Sequence, residues 1–145
     1  MGDLYYHGPR NDLTQEYNPM EVAKVLNSLK EKLIVLRGNC DAEVDEAISE
    51  FSFQDEYVLE IDDRIFFFNH GHKYNRDNLP KQMIDVLIYG HFHTGFIESE
   101  NRIIVANPGS ISLPKCNTEH SYLVYENHKL TLKNVDGEVI VEKEI

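Results

Sequence analysis

The 145-residue sequence has no tryptophan and only two cysteines, Cys40 and Cys116. Two thiols are too few for the disulfide framework that staples small secreted domains. No apolar run reaches the ~18 residues that would cross a bilayer, and the start has no basic region followed by an apolar core, as a secretory signal would. Positive charge is scarce as well: 14 Lys and Arg stand against 25 Asp and Glu, a net charge of −11. That balance removes the basic face on which a nucleic-acid backbone is held, so neither a nucleic-acid polymer nor a membrane is expected as partner. It leaves phosphate chemistry open, because bound cations can invert the field at a site. These absences point to a cytoplasmic protein, and the length to one domain over residues 1–145 that buries roughly 68–70% of its unfolded surface.

The patterning of what remains is α/β at the front and β-rich at the back. Gly8-Pro9 marks residues 4–11 as a loop. A helix is predicted from Asn18 as N-cap, with Pro19 at its first position and Glu21 at the third. Val22, Val25, Leu26 and Leu29 then share one apolar face. The apolar run 33–36, ending at Gly38, predicts a parallel strand buried on both faces. A weaker helix is predicted over 43–49. Residues 57–61 and 64–68 flank Asp62-Asp63 as a hairpin. A short helix over 78–83 and a strand over 86–89 follow. A second hairpin pairs 95–99 with 102–106, and three strands are separated by Asn127-His128 and Asp136-Gly137. The expected fold is α/β, with two packed sheets and flanking helices.

Five polar clusters carry the chemistry: Gly2-Asp3, Gly38-Asn39-Cys40-Asp41, Asn69-His70-Gly71-His72, Gly90-His91-Phe92-His93 and Asn107-Pro108-Gly109-Ser110. Most follow an apolar run, and so fall where strands pass into loops, the places where α/β sheets collect metal and phosphate sites. His91 and His93, in i, i+2 relation, suit two adjacent ions better than chelation of one. His70-Gly71-His72 reads equally as a plain loop pair. Asn39 is a suitable neutral oxygen ligand or an ordinary turn residue. The run 107–110 is either a turn or a set of backbone N–H groups turned to an anion. Singly these clusters say little, whereas their order and shared position at strand ends make a specific set.

That set resembles the calcineurin-like metallophosphoesterases. The succession Gly-Asp, Gly-Asn-x-Asp, His-Gly-His, Gly-His-x-His is similar to theirs over essentially the whole chain. The His-Gly-Pro-Arg-Asn of 7–11, the Gly-Asn-Cys-Asp of 38–41 and the run from Asn107 to Pro114 resemble the small prokaryotic phosphodiesterase branch. The resemblance implies a two-sheet α/β sandwich and a dinuclear site for divalent ions, most often manganese, with zinc, iron, nickel or magnesium as alternatives. It implies hydrolysis of a small phosphodiester by metal-activated water. Asp3 would bridge both ions; Asn39, His70 and His91 would complete one, and His93 would bind the other. Asn39, Cys40, His70 and His72 would be the groups at the chemistry. Cys40 stands where many relatives carry a histidine proposed as proton donor; a thiol with pKa about 8.5 can donate, and a small buried filler is the alternative.

The family's first motif is an Asp-x-His closing its first strand, and no Asp-x-His occurs in this sequence. Asp3 stands where the first strand–helix–strand unit, roughly 30 residues, should already have passed. The chain is therefore expected to lack that unit, to hold one ion rather than two, and to hydrolyse poorly. Unpaired sheet edges would then favour a homo-oligomer. The alternative function is a non-catalytic protein-binding scaffold, since the same fold serves that purpose in the retromer coat. A β-lactamase-like zinc hydrolase is set aside because neither His-x-His pair is followed by Asp-His.

Overall fold

The computed structural model describes all residues from 1 to 145. Helix α1 spans Pro19–Ser28, and the Asn18 side chain accepts the Glu21 N–H at 3.3 Å, as the cap signal requires. Strand β1 is Val35–Leu36, α2 is Glu43–Ile48, and β2 is Phe53–Gln54. β1 and β2 pair in parallel over two residues and form a sheet of their own. The predicted strand over 33–36 is thus half its expected length. Its last two residues are buried as expected, while Ile34 lies exposed.

The rest of the chain builds two larger sheets. β3 (Glu56–Ile61), β4 (Arg64–Asn69), β5 (Val86–Tyr89), β6 (Gly95–Glu100) and β7 (Ile103–Pro108) form a mixed five-stranded sheet in the order β3-β4-β5-β7-β6. β4, β5 and β7 run parallel in its centre, with β3 and β6 antiparallel at its edges. β8 (Ser121–Glu126), β9 (Lys129–Asn134) and β10 (Val139–Glu144) form an antiparallel meander. Asp62-Asp63 and Asn127-His128 take the left-handed conformation at the hairpin tips, with φ of 52° and 60°, and 52° and 58°. In the second hairpin the tip falls one residue later than predicted, at Asn101-Arg102, with φ of 49° and 73°.

The core lies between these two sheets. Phe66, Val86, Ile88, Ile97 and Ala106 on one side meet Leu130 and Leu132 on the other. Phe66 packs edge-on against Tyr125 at 4.9 Å between ring centres. The opposite face of the five-stranded sheet buries Phe67, Leu87, Tyr89 and Val105 under Tyr74 and Ile84. Successive strand residues point to opposite faces, so the central strands read as continuous apolar runs buried on both sides.

Two expectations fail at the front and in the connecting loop. The apolar face proposed for α1 is not its packed face: Val22, Val25 and Leu29 are exposed and Ala23 is the buried residue. The small Ala23 allows close approach, and the helix end is held by polar bonds from Asn27 to the Ile48 carbonyl at 3.0 Å and from the Glu50 N–H at 2.8 Å. Residues 78–83 form no helix. Pro80 lacks a donor and forces its predecessor out of the helical region, and Asn75 and Asn78 exchange two backbone bonds of 3.1 Å instead.

Candidate metal centre

Four donor atoms converge where β1, β4 and β5 run out. His70 follows β4 directly and is only 2% exposed. Its Nδ1–H donates to the Met1 carbonyl at 2.6 Å, which leaves the Nε2 lone pair facing inward. That nitrogen lies 3.2 Å from Asp3 Oδ2, 3.2 Å from Asn39 Oδ1 and 3.1 Å from His91 Nδ1. The single donor atoms offered by Asp3, His70 and His91 all fall within 4.8 Å of one another.

With His70 in that tautomer, lone pairs from an imidazole, a carboxylate and an amide oxygen point at one spot. Such a group repels itself unless a proton or cation sits among its members. Ligands about 2.1 Å from an ion are roughly 3.0 Å apart at right angles and 3.4 Å apart tetrahedrally, by geometry. The three spacings from His70 Nε2, 3.1–3.2 Å, fall in that interval, and the chemistry of the donors suits a divalent ion beside that nitrogen.

The backbone around these donors is unusual in ways that follow from the sequence. Gly2 has φ +88° and Asp3 φ +54°, while His91 and His93 have φ +63° and +59°. Histidines in the left-handed region are uncommon, and such strain is found preferentially where side chains are aimed at a function. A Cβ on Gly38 would overlap the Asp3 carboxylate, and one on Gly2 would overlap the Gly38 amide nitrogen. Only glycine at both positions lets the two segments touch.

Hydrogen bonds fix the remaining parts. Cys40 donates its N–H to Asp3 Oδ1 at 2.9 Å, while Asn39 Nδ2 approaches Cys40 Sγ at 3.3 Å. Asn107 is wholly buried; its amide donates to the Gly90 carbonyl at 2.7 Å and its Oδ1 accepts from the Gly109 N–H at 2.9 Å. Gly90 in turn donates to the His70 carbonyl at 2.8 Å, so the loops carrying His70 and His91 are tied together. His93 does not join the four donors: its Nδ1–H donates to the Leu113 carbonyl at 2.9 Å, and it lines a 490 Å³ cavity that also borders Asp3, His70 and His91. His72 is exposed, with its ring centre 5.4 Å from that of His70.

The electrostatics favour ligand-ready protonation states. Burial pushes the Asp3 carboxyl up, yet the adjacent His70 imidazole, the hydrogen bond from the Cys40 N–H and the His91 ring leave it below its ordinary range. His91 and His72 are held below the usual imidazole value by burial and then by His70; His93 is lowered by burial and then by Lys115. Burial and then the Asp3 charge push the Cys40 thiol up, so at neutral pH it keeps its proton.

Sequence reasoning named all five metal candidates, of which Asp3, Asn39, His70 and His91 come together and His93 stands on the cavity wall. It missed the groups that hold them: the Met1 carbonyl, Asn107 and Asp41. A backbone carbonyl carries no signature in a sequence. Asp41 and Asn107 lay inside singled-out clusters, but a cluster does not tell which member turns toward backbone.

Comparisons with known proteins identify the family and the fold. The model for the calcineurin-like phosphoesterase superfamily domain matches residues 12–129. The chain is 38% identical over 144 residues to Phosphodiesterase YfcE of Escherichia coli strain K12, covering 97% of this chain and 78% of the relative. The solved structure of Yfce, described as a phosphoesterase from E. coli, superposes with a TM-score of 0.94 at 36% identity over 99% of this chain and 81% of that one. Vacuolar Protein Sorting 29 from Cryptosporidium parvum superposes with a TM-score of 0.60 at 18% identity, over 87% of this chain and 76% of the other, a likeness of fold alone.

Proposed function

The chain belongs to the calcineurin-like phosphoesterase superfamily, and from that premise we propose that it is a metal-dependent phosphodiesterase for small phosphodiesters. The observation that carries this reading is the meeting of Asp3 Oδ2, Asn39 Oδ1 and His91 Nδ1 around His70 Nε2 at 3.1–3.2 Å. Two imidazoles with a carboxylate and an amide oxygen suit Mn²⁺, Zn²⁺, Fe²⁺ or Ni²⁺ better than Mg²⁺, and Mn²⁺ is the ion we assign first. When bound there, the ion supplies Lewis acidity that acidifies water and neutralises phosphoryl oxygens.

The chain's own residues take the other roles. Asp3, with its depressed pKa, remains ionised across the working range and supplies the anionic ligand. His70 is fixed in the tautomer that presents Nε2 by its bond to Met1. His72, exposed beside the His70 ring, is the residue we assign to a phosphoryl oxygen of the substrate. Cys40 keeps its proton, and its backbone N–H holds the Asp3 carboxylate at 2.9 Å. His93 stands on the cavity wall outside the four-donor cluster, so we assign one firmly held ion, a second held weakly, and slow turnover.

Release of nitrophenolate from bis(p-nitrophenyl) phosphate with added Mn²⁺ tests the reading. Slow, Mn²⁺-dependent turnover that His70→Ala removes is expected. Turnover that survives His70→Ala, or none above buffer at saturating Mn²⁺, overturns it. One observation favours a second reading as a protein-binding scaffold: Val22, Val25 and Leu29 present an uncovered apolar face on α1. That reading predicts that Val25→Asp, and not His70→Ala, abolishes capture of a partner.

A further inference from the structure

Asp41 accepts three hydrogen bonds beside the candidate centre, and none of them comes from a donor atom of that centre. Its Oδ2 accepts the Asp3 N–H at 2.9 Å and the Gly38 N–H at 2.7 Å, and its Oδ1 accepts the Leu4 N–H at 2.9 Å. All three partners are backbone groups, and they belong to two segments separated by more than thirty residues. No backbone–backbone hydrogen bond joins residues 2–4 to residues 36–41. The junction is made by side chains alone: Asp41 takes the Asp3 N–H, and Asp3 Oδ1 takes the Cys40 N–H in return at 2.9 Å.

We propose that Asp41 is a positioning residue whose carboxylate clamps the Asp3 segment to the Asn39 loop and so sets the spacing of two ligands of the cation. Asp3 sits in the left-handed region at φ +54°, a conformation that a non-glycine residue holds only when its surroundings impose it. The N–H groups of Asp3 and Leu4 are the ones that must be held to keep that conformation, and both end on Asp41. A carboxylate matches the task because it accepts at both oxygens and has no proton to turn toward a donor, whereas an amide presents an N–H₂ to at least one of the three N–H groups. Groups that orient ligands in this way usually change metal affinity about 10–100-fold when removed.

The proposal rests on the metal-site reading above, and the test separates the two. Mn²⁺ binding is measured calorimetrically for the unaltered chain, Asp41→Ala, Asp41→Asn and Leu132→Ala, the last a core change between the two sheets in a residue 1% exposed. A weakening of about 10–100-fold is expected for Asp41→Ala, with a smaller loss for Asp41→Asn, which retains some acceptor capacity. Leu132→Ala should lower the melting temperature and leave Mn²⁺ affinity within twofold. Amide exchange at Asp3, Leu4 and Gly38 should quicken selectively in both Asp41 variants, a readout that does not depend on metal. Normal Mn²⁺ affinity in the Asp41 variants, or a loss no greater than that in Leu132→Ala, overturns the proposal while leaving the metal site standing. Absence of Mn²⁺ binding by the unaltered chain overturns both. Should Asp41→Ala fail to fold, Asp41→Asn carries the decision.

Discussion

The back of the molecule and its front are built on different terms, and the candidate centre straddles them. From Glu56 onward, two sheets bury an unbroken apolar layer between them, and the central strands are covered on both faces. Before Glu56, two helices and a two-residue parallel pair are held by loops and polar bonds, with Val22, Val25, Leu29 and Ile34 exposed. His70 and His91 come from the packed back; Asp3 and Asn39 come from the front. Half of the ligand set is therefore mounted on a rigid sheet and half on segments whose positions depend on side-chain clamps. Stability is not uniform across a fold, and sparsely packed segments open first.

This contrast can be pressed hardest at the site itself. His70→Ala removes the atom that every other donor faces, and it should abolish measurable Mn²⁺ binding in calorimetry. Asn39→Ala removes a neutral ligand from the looser half, and it should weaken binding by a smaller factor. Equal losses from the two would mean that the halves are equally rigid. Next comes the core: Phe66, wholly buried between the sheets, should cost about 3–5 kcal/mol as Phe66→Ala in urea denaturation.

Acidification gives a smaller effect with a definite sign. His72, His91 and His93 lie below their ordinary 6.5 in the folded chain, so below that pH the unfolded chain binds protons that the folded chain does not. The metal-free protein should therefore melt at a lower temperature at pH 5.5 than at pH 7.5. Asp3, lowered from 3.8, acts in the same sense further down: its contribution is present above 3.8 and is lost as pH falls through its folded value. A melting temperature that is flat or rises on acidification contradicts the partial burial of His91 and His93. Smallest of all, Val25→Ala should shift stability by no more than about 0.5 kcal/mol, because the side chain is 56% exposed.

The same division marks what the sequence discloses. Local chemistry was legible: the Asn18 cap, the paired left-handed residues at hairpin tips, and the alternation or continuity of apolar runs each state their own structure. The β1–β2 pairing was not, because a two-residue parallel match is decided by packing between distant segments. The face of α1 misled for that reason, since periodicity marks an apolar stripe without saying that anything covers it. A helix over 78–83 failed on Pro80 and on the Asn75–Asn78 exchange, a turn whose bonds outcompete a weak helical signal. At the site, the ligand types and their order along the chain were readable, as Asp, Asn and His keep their chemistry wherever the fold takes them. Their mutual distances and the Asp41 clamp were not, since they depend on backbone atoms that every residue shares.

The proposed centre is one ion held among Asp3 Oδ2, Asn39 Oδ1, His70 Nε2 and His91 Nδ1. Anomalous diffraction from crystals soaked in Mn²⁺ measures this directly. One dominant peak is expected about 2.0–2.4 Å from all four atoms. No peak there, or the strongest peak among other residues, would contradict it.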